Sequence, residues 1–181
     1  MLTITIPAAE IFNEETKEFT TIKEQTLHLE HSLVSVAKWE SKWGKPFLGK
    51  DPKTVEEMLD YIRCMTITQN VDPKVYSFIT SKNIEEISAY IEAPMTATWF
   101  NEKTTKGRRN DEVITSEIIY YWMVSFNIPV EFQKWHLNRL LTLIKVCSLK
   151  NEPQKKMSKR EILDRNKAIN KARRASMHTS G

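Results

Sequence analysis

Glycine is scarce in this 181-residue chain, with four in all and one of them terminal. Gly44, Gly49 and Gly107 stand far apart, so no loop can bring several backbone amides together on a phosphate, which argues against a nucleotide-binding fold. Cysteine is sparser still. Cys64 and Cys147 have no CxxC partner, and a non-secreted chain of this length more often keeps such residues as small buried thiols than as a disulfide. Long apolar runs are missing too. The most hydrophobic stretch, Ile118 to Val124, reaches Val130 only by taking in Ser125, Asn127 and Pro129, well short of the roughly 20 residues that span a bilayer. The opening MLTITIPAAE has neither the basic region nor the apolar core of a signal peptide, so a cytoplasmic protein is expected.

What is present suits a folded domain. Hydrophobic residues make up 40% of the chain, mean hydropathy is −0.46, and five Trp, seven Phe and five Tyr supply enough apolar area to offset chain entropy. The 27 Lys plus Arg exceed the 23 Asp plus Glu, but unevenly: Lys150 to Gly181 holds ten basic and three acidic residues, leaving the preceding 149 residues at −3. This divides the chain into a globular domain over 1–150 and a basic C-terminal helix and tail over 151–181.

Local patterns set the expected elements. Leu2 to Ile6 and Glu18 to Ile22 alternate at strand period around a polar NEETK turn, which predicts an N-terminal β-hairpin. From Thr26, residues Leu29, Leu33, Val36, Ala37 and Trp39 follow helical spacing up to Trp43-Gly44. Thr54 and Glu57 form a T-x-x-E capping box before Met58, Leu59, Ile62 and Met65. Asp72-Pro73 opens a short helix, and Asn83 with Glu86 caps another that Pro94 ends. Thr96 to Phe100 and Glu112 to Thr115 predict a second β-hairpin with an exposed tip. Ser116 or Thr115 then caps a helix apolar on every side, followed by a helix from Glu131 to Leu149, and these two are expected to form the centre. Ser158 to Glu161 opens a last, surface helix. The fold class is therefore α+β, mainly α: a bundle of about six helices with an N-terminal hairpin and a second hairpin near residues 96–115.

Reactive constellations are weak. His28 and His31, three apart, would share a helical face, but no third or fourth ligand accompanies them, so no metal is expected. Glu131, His136 and Arg139 could share a cleft, yet polar tips beside an apolar stripe more often satisfy buried backbone groups. No Ser or Cys carries a nucleophile elbow or an identifiable base, so neither catalysis nor a cofactor is expected. Lys103, Lys106, Arg108 and Arg109 on the hairpin tip, with Lys171, Arg173 and Arg174 in the C-terminal helix, could contact nucleic acid or an acidic partner. Without interleaved aromatics, a solvated basic helix is the better reading of that run. Trp39, Trp43, Phe47, Trp99 and Phe100 lie near element ends or on a hairpin, where aromatics commonly anchor a protein partner.

The run Lys38-Trp39-Glu40-Ser41-Lys42-Trp43-Gly44-Lys45-Pro46-Phe47-Leu48, then Thr54 to Glu57, Tyr61-Ile62, Thr115 to Trp122 and Trp135 to Leu141, resembles the tail assembly chaperones of long-tailed bacteriophages. The resemblance spans roughly residues 1 to 175 and carries no catalytic signature. It implies a non-virion, non-enzymatic factor in the host cytoplasm that binds the long tape-measure protein, prevents its aggregation and helps recruit tail-tube subunits. Self-association is compatible with that role. The main alternative is a virion structural protein such as a head-tail connector component.

Overall fold

The computed structural model describes residues 1–13, 17–100, 113–151 and 159–177. Its elements are β1 (Leu2–Ile6), β2 (Ala9–Asn13), β3 (Glu18–Ile22), β4 (Gln25–Leu29), α1 (Leu33–Trp43), α2 (Val55–Met65), α3 (Ser81–Glu92), α4 (Ser116–Ser125), α5 (Leu137–Asn151) and α6 (Lys159–Met177), with 3-10 turns at Pro73–Phe78 and Val130–Lys134. The class is α+β, mainly α, with two small antiparallel two-stranded sheets. The chain divides into two units, Met1–Ser148 and Leu149–Gly181.

Strand pairing differs from the expected hairpin. Leu2–Ile6 pairs with Gln25–Leu29, while Glu18–Ile22 pairs with Ala9–Asn13. Both ladders put residue i opposite residue 31 − i, so they are two lengths of one antiparallel arm in a single register. The gap falls at Pro7, which has no N–H to give to a ladder. Ile4, Ile6, Leu27 and Leu29 line the buried face of the inner length, at about 1.5–3 kcal/mol for each side chain taken out of water. That pairing also overrides the helical spacing from Thr26, because the period-2 burial of Leu27 and Leu29 is satisfied only in a strand.

Helix α1 begins instead at a Ser32 cap, where Ser32 and Ser35 form a reciprocal box, and ends at Gly44 in the left-handed conformation (φ 62°). Helix α2 starts at the Thr54–Glu57 box as its sequence predicts. In α3 the cap is Thr80 with Asn83 as its third-position partner, one turn earlier than the expected Asn83–Glu86 pair. The segment after Asp72-Pro73 is a 3-10 turn.

The expected second hairpin is absent from its flanks: residues 95–100 and 113–115 are irregular, and the tip lies outside the described residues. Helix α4 is not enclosed. It buries Ser116, Ile119 and Met123, while Tyr121 and Val124 are 69% and 75% exposed. The expected helix over 131–149 is broken at Trp135-His136, where Ser32 and His136 make a β-bridge and Leu137 N–H donates to His31 O at 2.7 Å. The centre is formed by the inner arm with α1 and α2, through Leu33, Val36, Trp39, Tyr61, Ile62 and Met65; α3, α4 and α5 add Ile87, Ile119, Leu137 and Leu140.

Candidate functional site

The aromatic residues with which the sequence suggests a binding surface separate into interior and exterior groups. Trp39 and Phe47 are 1% and 7% exposed, so these two proposed anchors are core residues. Their rings meet edge to face at 5.3 Å, Phe47 stacks on Tyr61 at 4.0 Å, and the Trp39 indole N–H donates to Glu57 O at 2.8 Å. Trp43 is half-buried, stacked on Trp39 with its N–H donating to Asp60 Oδ2 at 3.0 Å. Phe100 is half-buried with the Lys145 ammonium 4.2 Å from its ring centre. Trp99 is 81% exposed. Spacing along the chain cannot distinguish these fates, because α2 covers Trp39 and Phe47 and holds Trp43, whereas Phe100 meets Lys145 of α5 and Trp99 faces outward.

Ion pairs and amides hold the interior group. Glu57 accepts from Thr54 N–H and from Lys45 Nζ at 2.5 Å; the Lys45 bond, then that of Thr54, keeps its carboxyl below the usual range. Burial pushes Asp60 up, but the hydrogen bonds from Lys42 and Trp43 outweigh it and leave the carboxyl lowered. Lys53 Nζ lies 4.4 Å from the Phe47 ring centre, and desolvation lowers its pKa against the opposing pull of Glu57.

Glu40, for which the sequence offers no signal, is a key tie. It is buried, and its Oε1 and Oε2 accept from Phe47 N–H and Ser116 N–H, each at 2.7 Å. Thr115, the expected cap of α4, makes no side-chain capping bond; the carboxylate of Glu40 serves the first amide of that helix from 76 residues away.

His136 is buried, and its Nε2–H donates to Tyr90 O at 2.9 Å, leaving Nδ1 without a hydrogen-bond partner. Arg139 instead lies over Trp135 at 4.1 Å, and Glu131 is exposed, so the three do not share a cleft. The His136 ring packs against His31 at 5.1 Å, whose Nδ1 lies 2.5 Å from Tyr61 Oη. Burial, followed by the neighbouring His136, pulls the His31 pKa down to about 4, and burial lowers His136 as well. Both rings are therefore neutral near pH 7. Tyr90 donates to Glu30 at 2.6 Å, and the Met1 ammonium pairs with the other oxygen of the same carboxylate at 3.0 Å. His28 is on β4, bonded to Thr3 Oγ1 at 3.1 Å, so the two early histidines share no helical face. Among the described residues no group of three or more His, Cys, Asp or Glu is placed to hold a metal ion.

A surface cleft of about 380 Å³ lies at the start of α1, lined by Glu30, Ser32, Lys38, Cys64, Thr66 and Lys134 among others. Burial and then Asp60 push the Cys64 thiol up, so it stays protonated and weakly nucleophilic near neutral pH. Cys64 and Cys147 are both free and half-buried. Arg108 and Arg109 fall outside the described residues, as do Lys103 and Lys106. Lys171, Arg173 and Arg174 are exposed on α6, though Arg173 projects away from the other two.

Outward apolar residues include Val55 (79% exposed) at the start of α2, Trp99 on an irregular segment, Tyr121 and Val124 on one face of α4, and Val130 (58% exposed) just beyond it. Among the described residues no helix is long and apolar enough to cross a membrane. No family model, no curated protein and no solved structure matches the chain.

Proposed function

We propose that this protein is a non-catalytic assembly factor of the phage tail chaperone kind, which holds the tape-measure protein in the host cytoplasm and hands it to tail-tube subunits. The observation that carries the reading is the outward face of α4. A helix with seven apolar or aromatic residues in ten, SEIIYYWMVS, buries only Ile119 and Met123 fully among them, and turns Tyr121 and Val124 to solvent. Two large side chains three apart on one helix are the spacing that a second amphipathic helix engages, and a tape measure offers such helices in repeated copies. Many copies along one client add avidity to a modest single contact. Trp99 extends the set of side chains available to a partner.

The residues that carry the phage resemblance have a different part in this reading. Glu40 ties α1 to the first amide of α4, Trp39, Trp43 and Phe47 pack α1 and its end against α2, and the contact itself is left to exposed side chains. The test is co-purification of the full chain with tagged tape-measure fragments, comparing wild type with Tyr121→Ser/Val124→Ser. The variant is expected to lose at least ten-fold in retained fragment while melting as wild type does. Unchanged retention, or stoichiometric presence of the protein in purified virions, overturns the proposal; the second result favours a structural component.

A further inference from the structure

The domain treats the two lengths of the β arm differently. Along the inner length both edges are occupied. Asn83 Nδ2 donates to Thr5 O at 3.4 Å on the β1 side. On the β4 side Ile67 N–H donates to His28 O at 2.8 Å, Thr68 Oγ1 accepts from His28 N–H at 2.8 Å, and Glu30 N–H donates to Met65 O at 2.9 Å. Along the outer length, β2 and β3 pair only with each other, and no backbone hydrogen bond joins either outer edge to a described residue outside the arm. The base of this length is packed, with Ile22 buried and Ala9 half-buried, but Glu10, Phe19 and Thr21 are exposed, Phe19 at 65%. A two-stranded ladder with nothing laid along it is marginally stable in water, and a bare edge is a template for one more strand. Neither edge is protected in the usual ways, since no Pro, Lys or bulge interrupts Ala9–Asn13 or Glu18–Ile22.

We infer that the outer edge of β3 pairs with the same edge of a second copy of this chain, giving a four-stranded antiparallel sheet in the order β2, β3, β3, β2 about a two-fold axis at Thr20. Strand chemistry selects β3 over β2: Phe19, Thr20, Thr21 and Ile22 are aromatic or β-branched, whereas β2 contains Ala9, Glu10 and Asn13, which strands disfavour. The pairing is self-complementary. Antiparallel strands centred on Thr20 set Thr20 opposite its own copy, Phe19 opposite Thr21 and Glu18 opposite Ile22, each of the last two twice. The two Glu18 positions then lie four residues apart along the sheet, about 14 Å, so no like charges stand opposite each other. Thr21 Oγ1 donates to Glu10 Oε1 at 3.3 Å, which places Thr21, and with it Phe19 two residues earlier, on the Glu10 face of the arm. The second copy's Thr21 therefore covers the exposed ring. A foreign strand would have to supply this match, while a second copy has it by symmetry and closes as a dimer. Five residues a side make a small interface, so the dimer is weak and forms at high protein concentration.

The experiment is sedimentation equilibrium of the full chain from about 5 to about 500 µM, where the mass is expected to rise from 21.2 kDa toward twice that value. Phe19→Lys/Thr21→Lys sets like charges directly opposite at two places and is expected to weaken association at least ten-fold, with circular dichroism checking the fold. Tyr121→Ser/Val124→Ser is expected to dimerise as wild type does, which separates this contact from the client face of α4. Thr20→Cys supplies a second readout, because directly opposite positions lie about 4.5–5.5 Å apart between α-carbons, within disulfide reach. Mild oxidation at high concentration is expected to link Thr20→Cys into dimers, and to link wild type and Ile11→Cys at least ten-fold less. A monomer at 500 µM overturns the inference, as does association untouched by the lysine variant or abolished by the α4 variant. Equal linking of Ile11→Cys and Thr20→Cys would overturn the choice of β3.

Discussion

Replacing Glu40 tests how one buried carboxylate, bonded to Phe47 N–H and to Ser116 N–H 76 residues further on, supports α4. In Glu40→Ala, Phe47 N–H and Ser116 N–H each lose a charged acceptor at 2.7 Å in a buried setting. A buried donor left unsatisfied costs about 1–3 kcal/mol, so the pair costs about 2–6 kcal/mol, and relief of burying a carboxylate reduces that to about 3 kcal/mol. For a chain of this size the loss corresponds to a melting point lower by about 6–12 °C. Glu40→Gln is the sharper variant, because it keeps the shape and one acceptor oxygen but turns an NH2 group against the other amide. It should lose about 1.5–3 kcal/mol. Urea denaturation followed by tryptophan emission measures the loss, and hydrogen exchange at the Phe47 and Ser116 amides locates it. A Gln variant within about 0.5 kcal/mol of wild type, or unchanged protection at both amides, would refute the assignment of Glu40 as the cap of α4.

Stability should fall as pH drops from about 6.5 toward 4. His31 binds its proton more weakly in the folded state, at about 4, than in the unfolded chain, so its contribution is complete above 6.5 and is lost across that interval. A shift of this size is worth roughly 3 kcal/mol; urea melts at several pH values should show a shallower slope in His31→Gln, and a wild-type profile flat from pH 7 to 5 contradicts the buried neutral pair. Trp99→Ala should change stability by less than about 0.5 kcal/mol and remove the most acrylamide-accessible emission, whereas Trp39→Ala should cost about 3–5 kcal/mol. Gly44→Ala should cost about 1–2 kcal/mol through its left-handed backbone alone, since no atom lies within 4 Å of the added carbon; thermal melts with Gly44→Asn as the milder comparison check this.

Much of the local structure is legible in the sequence because its causes act within one helical turn. The Thr54–Glu57 box fixes the start of α2, Gly44 ends α1, and Pro94 follows the end of α3. The apolar periodicity likewise defines an α+β, mainly α, chain. Pairing partners, burial and ties across the fold depend on distant residues. By pattern alone Leu2–Ile6 pairs with Glu18–Ile22 and the chain from Thr26 reads as helix, whereas the arm folds back on itself in one register and sets Leu2–Ile6 against Gln25–Leu29. Trp39 and Trp99 are the same residue type near element ends, yet α2 covers one and nothing described covers the other. Glu40 looks like any surface carboxylate of a helix until Ser116 arrives against it. Sequence by itself therefore determined where segments turn and which faces are apolar, since those are properties of neighbours in the chain. Only the tertiary structure decided which faces are covered, because burial is set by residues that meet in space from far apart in sequence.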